Sequence, residues 1–241
     1  HNFAKIFCKS RRIITIDMRG RGKSEYDKIT KNYWKPGIYM SDIFSITNAL
    51  NIHKGIYLGT SLGGLMAMQV ALIRPSSVSG VILNDIGPDL PINGVTTIHK
   101  NLRKSLSFKS WEEAKNFYEK KYKSHHPNFS SDQWLIQTKN TFAVKNNLIV
   151  SDYDINILSE AVDTSQSNNL WQLFLAIKKI PTVCIRGELS DILLESTFNK
   201  MKSEKKDLIQ LTLKNCGHNP QLDEPEVINI LEHFTKSIDK C

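Results

Sequence analysis

The run Ile56-Tyr57-Leu58-Gly59-Thr60-Ser61-Leu62-Gly63-Gly64 leads without a gap into Leu65, Met66, Met68, Val70, Leu72 and Ile73. An apolar strand, a Gly-x-Ser-x-Gly turn and a helix apolar on nearly all sides leave few ways to fold. The strand must end, the chain must reverse at the serine, and the helix must start directly behind it. A helix with so wide an apolar surface is buried, as on the middle of a sheet. Gly59 and Gly63 lack a Cβ, so strand and helix are expected to pass close together around a strained Ser61. The Ser61 hydroxyl then stands free above the sheet edge. The Leu62 N–H points into the same space, from a helix N-terminus that favours negative charge. A serine beside an anion site points to acyl transfer.

The flanking segments supply the sheet. Arg12 to Asp17 is a β-branched run that reads as a strand, and Asp17-Met18-Arg19-Gly20-Arg21-Gly22-Lys23-Ser24 follows it. That loop lacks the phosphate-cradle spacing and reads as a structural turn. Ile43, Ile46 and Leu50 mark a helix that Ser41 is placed to cap. Arg74-Pro75 ends the helix behind Ser61, and Val81-Ile82-Leu83 is the next strand, leaving through Asn84-Asp85-Ile86-Gly87-Pro88. Alternating strands and helices at this spacing mean a mostly parallel α/β sheet with helices on both faces. Residues 93–169 differ. They are helical, aromatic and charged with no strong strand, carry capping boxes at Ser110–Glu113 and Ser130–Gln133, and show a turn at Asn146-Asn147. They read as a helical cap inserted into a core formed by residues 1–92 and 170–241. Thr182 to Gly187 and Leu208 to Leu213 return to the sheet, and a helix with an apolar stripe starts near Pro225.

A serine hydroxyl needs a general base, and the base needs an orienting partner. Behind the elbow the expected order is acid and then histidine, each in a loop at the carboxyl end of a strand. Gly187-Glu188-Leu189-Ser190-Asp191 and Asn215-Cys216-Gly217-His218 meet that requirement. The expected catalytic set is therefore Ser61, Asp191 and His218, with Leu62 as an oxyanion donor. Asp191 is preferred as the acid because its longer loop can turn back toward His218. Asp85 is the first alternative and Glu188 the second. The remaining histidines have no comparable context. The adjacent pair His125-His126 is a poor start for a metal site, so no metal is expected.

With these motifs in order, the sequence resembles an α/β-hydrolase, and the resemblance covers nearly the whole chain. Asn84-Asp85-Ile86-Gly87-Pro88 followed by a helical cap is similar to capped esterase- and lactonase-like bacterial members. The resemblance implies a Ser-Asp-His triad, no cofactor, and a pocket between cap and core. It also implies earlier strands and a His-Gly loop that supplies a second oxyanion N–H. Here His1 is followed by Asn2 and takes no such role, so the fold is expected to be N-terminally truncated, with an exposed sheet edge and an impaired oxyanion hole. The expected function is cleavage of a small ester or lactone through an acyl-Ser61 intermediate. The alternatives are a catalytically impaired fragment and a carbon–carbon bond hydrolase using the same triad.

Composition narrows the partners. The 241 residues are 40% hydrophobic and 23% charged, which suits a globular chain, and no segment reaches the apolar length of a membrane span. His1 to Arg12 lacks the apolar core of a signal peptide. The net charge of +8 comes from scattered lysines without a nucleic-acid motif, so it reads as a solvated surface. Cys8, Cys184, Cys216 and Cys241 form no paired motif and read as reduced thiols in a cytoplasmic protein. The expected partner is a small-molecule ester or lactone, with neither nucleic acid nor membrane; the sequence carries no sign of oligomeric state.

Overall fold

The computed structural model describes residues 2–102, 105–158 and 170–240. A short helix α1 (Asn2–Phe7) precedes the extended loop region, and α2 (Pro36–Ala49) leads to β1 (Gly55–Thr60) and α3 (Leu62–Ile73). Next come β2 (Val78–Asn84), α4 (Ile92–Leu102), β3 (Ser107–Phe108), α5 (Trp111–Tyr122), α6 (Ser131–Thr141), β4 (Phe142–Lys145) and β5 (Leu148–Ser151). The chain closes with α7 (Leu170–Ala176), β6 (Thr182–Gly187), α8 (Glu195–Glu204), β7 (Ile209–Leu213) and α9 (Pro225–Ile238).

Strands β1, β2, β6 and β7 form a parallel sheet in that order. Its two central strands are almost wholly buried. Because strand side chains alternate in direction, neighbouring residues serve opposite faces. Val81, Leu83 and Cys184 join Met66, Met68, Val70, Phe174 and Met201 on one side. Ile82, Val183 and Ile185 join Phe7, Val227, Leu231 and Phe234 on the other. Burying each such side chain contributes about 1.5–3 kcal/mol, so both faces must be covered. The apolar stripe on α9 and the broad surface of α3 cover them. The end of α3 runs out of the core, leaving Leu72 and Ile73 exposed.

Four local expectations change. The run Arg12–Asp17 joins no ladder among the described residues, and Ile14 and Ile16 are exposed. No described strand lies beside this run, and β1 correspondingly has β2 as its one described strand partner. Helix α2 starts at Pro36, whose ring suits the first helical position, so Ser41 lies inside the helix instead of capping it. The insertion between β2 and β6 contains strands: β3, β5 and β4 form an antiparallel sheet in that order. Asn146 and Asn147 turn the β4–β5 hairpin with φ of 50° and 61°, a left-handed pair that asparagine tolerates and hairpin twist requires. The strands are too short for their alternation to stand out in the sequence. Of the two capping boxes, Ser130–Gln133 is reciprocal, whereas Glu113 returns to the Lys109 N–H rather than to Ser110.

The elbow rests on a different glycine pair from the one expected. A Cβ on Gly59 would lie 2.0 Å from the Gly63 backbone carbon, and one on Gly64 would lie 2.4 Å from Ile86, whereas one on Gly63 would meet nothing. Gly59→Ala is therefore expected to destabilise the fold by about 3 kcal/mol or more, since backbone must move. Gly63→Ala, within a helix, is expected to be neutral or to stabilise by up to about 1 kcal/mol. Thermal unfolding of the two variants checks this contrast.

Candidate active site

All four sheet strands end at one edge, and each exit carries a polar group. Ser61 follows β1 with φ 50° and ψ −120°, a conformation that costs a non-glycine residue energy. Its N–H donates to the Asn84 carbonyl, tying the turn to the next strand, and its hydroxyl makes no capping bond. Gly64 and Leu65 donate back to the Ser61 carbonyl. Among the described residues no hydrogen bond is made by the N–H groups of Leu62 and Gly63 at the start of α3, and the positive end of the helix dipole lies behind them.

Asp85 leaves β2 fully buried, also in a left-handed conformation with φ 53°. A buried carboxylate without partners would cost several kcal/mol. This one collects partners from two later loops. Oδ1 accepts the Gly187 N–H at 2.8 Å, and Oδ2 accepts the Ser190 hydroxyl at 2.5 Å. Nδ1 of His218 lies 2.7 Å from the same Oδ2. With Asp85 ionised, Nδ1 is the donor, and Nε2 of the neutral ring is left with its lone pair. Asn84 joins the same exits through its amide, which donates to Thr60 Oγ1 at 2.9 Å and to the Pro220 carbonyl at 3.0 Å.

The carboxylate beside His218 is thus Asp85 and not Asp191, correcting the expectation from the sequence. The cause is Ser190. Its hydroxyl donates to Asp85 while accepting the N–H groups of Ile192 and Leu193 at 3.1 and 3.0 Å. This folds the loop against Asp85. The buried Arg186 braces it by donating to the Leu193 and Glu188 carbonyls. Asp191 is turned instead into a nearby cavity, where no hydrogen bond or ion pair among the described residues engages its carboxylate. Glu188 is exposed and accepts the Asn215 N–H, linking the β6 and β7 loops. Sequence reasoning missed Ser190 as the residue that holds Asp85. The signal for Asp85 was present: an acid between Leu83 and Ile86, in a run too apolar to leave a charge unpaired.

The cavity measures about 210 Å³, with walls that include His218, Asp191, His125, His126, Tyr122 and Gln137. A larger, more open depression of about 600 Å³ lies along α9 and Ile209 and holds none of Ser61, Asp85 or His218. The insertion reaches the site through His125, whose carbonyl accepts the Gly217 N–H at 2.6 Å. Beside it His126 is buried, stacks on Phe129 with ring centroids 4.3 Å apart, and has its Nδ1 3.9 Å from the Cys216 sulfur. Burial, helped by the neighbouring His125 and His218 rings, pushes the His126 imidazole down to about 4. Burial pushes the Cys216 thiol up to about 12, so it is not a thiolate nucleophile at neutral pH.

A family described as having the alpha/beta hydrolase fold matches residues 2–225. The chain belongs to the alpha/beta hydrolase family. It is 29% identical over 248 residues to a 3-hydroxybutyrate-oligomer hydrolase of Cupriavidus necator, an alignment covering 96% of this chain and 81% of that protein. It is 30% identical to a crystal structure of an alpha/beta hydrolase from Novosphingobium aromaticivorans, with a TM-score of 0.92, covering 98% of this chain and 83% of that one. A shorter segment is 32% identical over 103 residues to an sn-1-specific diacylglycerol lipase of Danio rerio, covering 42% of this chain and 30% of the lipase. The alpha/beta hydrolase assignment and these relatives support hydrolase chemistry.

His126 also gives the site a pH signature. Unfolded, it binds a proton near pH 6.5; folded, it does so only near pH 4. Between these values the unfolded chain holds more protons, so this residue's contribution to stability is present above about pH 6.5 and is lost as pH falls toward about 4. Melting temperature measured across that range is expected to fall less in His126→Leu than in the wild type.

Proposed function

We propose that this alpha/beta hydrolase cleaves a small ester or lactone through an acyl-Ser61 intermediate. One observation carries the reading: His218 is held 2.7 Å from the fully buried Asp85 at the strand edge where the strained Ser61 turn stands. With Asp85 accepting the Nδ1 proton, Nε2 of His218 takes the proton of Ser61 Oγ as that oxygen attacks the substrate carbonyl. The carbonyl electron pair moves onto oxygen, where the Leu62 and Gly63 N–H groups supply donors at a helix N-terminus. Asp85 stabilises the imidazolium. Collapse of the intermediate breaks the bond to the alcohol oxygen, which receives its proton from His218. Water then repeats the sequence on the acyl-serine, releasing the acid and restoring the hydroxyl.

The dimensions of the site support a small substrate. Drug-sized ligands occupy pockets of about 300–1,000 Å³, and the cavity beside His218 is smaller, at about 210 Å³. The Cupriavidus necator relative, named as a hydrolase of 3-hydroxybutyrate oligomers, which are short esters, supports the same chemistry.

A fluorophosphonate probe is expected to label the wild type and to spare Ser61→Ala; folded protein that takes no label removes the reading. Asp85→Asn is expected to lower kcat for ester hydrolysis by about 10⁴-fold, because the amide no longer enforces the required tautomer. Turnover indifferent to that change means His218 does not act through Asp85.

A further inference from the structure

The displaced Asp191 has a chemistry of its own, and the inference drawn from it rests on the serine-hydrolase reading above. We propose that Asp191 selects the alcohol half of the substrate, admitting a small neutral alcohol that bears a second hydroxyl and rejecting one that bears a carboxylate.

The cavity lies on the alcohol side of the ester. Its wall includes His218 and Asn219 but not Ser61 or Leu62. The acyl carbon bonds to Ser61, whereas the departing alcohol oxygen must face the histidine that returns its proton. A chain attached to that oxygen therefore runs along the His218 side, into this cavity. Its volume of about 210 Å³ corresponds to about seven water molecules at the liquid volume of about 30 Å³ each. An alcohol of a few heavy atoms fits.

The wall offers an acceptor and a donor. Asp191 is half-buried, and its carboxylate is engaged by no described partner. Among the described residues it is the only side chain lining the cavity that is an acceptor alone, since Thr97, Gln137 and Gln221 can both donate and accept. Opposite chemistry comes from His125. Its Nδ1 is buried with no partner, and its ring lines the cavity. A buried N–H without an acceptor is costly, so the neutral ring carries its proton on Nε2 and presents a donor. His126 is neutral through burial. Among the described residues no lysine or arginine lines the cavity, so none of their positive charge is delivered there. A ligand hydroxyl donates to Asp191 and accepts from a neutral donor, satisfying both. A carboxylate gains only the neutral donor and meets Asp191 as a like charge. A 3-hydroxybutyrate oligomer presents a carboxylate on its terminal alcohol unit, so this chain is inferred to differ from its Cupriavidus necator relative in what it releases.

Three esters with one acyl group test the proposal: 2-hydroxyethyl butyrate, propyl butyrate of similar size, and carboxymethyl butyrate. The wild type is expected to favour the hydroxyethyl over the carboxymethyl ester in kcat/KM. Asp191→Asn, which removes charge at constant shape, is expected to shrink that preference about tenfold, as for a partly screened charge pair. Asp191→Ala should shrink it similarly while also reducing the advantage of the hydroxyethyl over the propyl ester. An equal, modest effect of both variants on all three esters overturns the proposal. A loss of about 10⁴-fold on all three also overturns it, by making Asp191 the orienting acid. A wild type labelled at Ser61 but indifferent to the alcohol overturns this inference and leaves the hydrolase reading standing. A folded wild type that is neither labelled nor active overturns both.

Discussion

A single buried carboxylate ties the functional edge of this fold together. Asp85 has no solvent to stabilise its charge, and it receives hydrogen bonds from Gly187, Ser190 and His218. Gly187 ends β6, Ser190 lies in the loop that follows it, and His218 lies in the loop after β7. The cost of leaving any of them away from the carboxylate is paid in desolvation, so the electrostatics of one side chain sets the conformation of two loops. Asp85 also lies on the strand between Ser61 and those loops. The serine turn, the acid and the histidine are therefore registered against one another by sheet hydrogen bonds rather than by flexible connections.

Much of the architecture was legible because it depends on patterns that sequence expresses directly. The apolar runs of β2 and β6 alternate between two buried faces, and the breadth of α3 and the stripe on α9 match the layers that cover them. Pro225 marks the start of α9. Ser130 and Gln133 cap α6 reciprocally, as their spacing implies. What escaped was what depends on contacts distant in sequence. Ser41 has a capping chemistry that Pro36 pre-empts. The strands of the insertion are too short to show a period, and their pairing is settled by two left-handed asparagines. Arg12–Asp17 has strand composition, yet a strand exists only through a neighbour.

The same distinction explains the site. Ser61 and His218 were readable because each stands in a turn with local character. The choice between Asp85 and Asp191 was not local, because both are single acids just past a strand. It is decided by Ser190, which spends its hydroxyl on Asp85 and its lone pairs on the following two amides, and so aims Asp191 elsewhere. A preference based on loop length had no access to that hydrogen bond. The elbow glycines give a parallel case. The motif names Gly59 and Gly63, while the packing constrains Gly59 and Gly64.

The insertion is hydrogen-bonded to the core on more than one side. The carbonyl of His125 holds the Gly217 amide. On another side Asp154 bonds the Gly20 carbonyl through its amide and Tyr33 through its carboxylate. The first of these seams is one residue from His218. A shift of the His125 backbone would therefore pull on the loop that presents the imidazole. One backbone hydrogen bond thus joins a wall of the cavity, at His125, to the loop that carries His218.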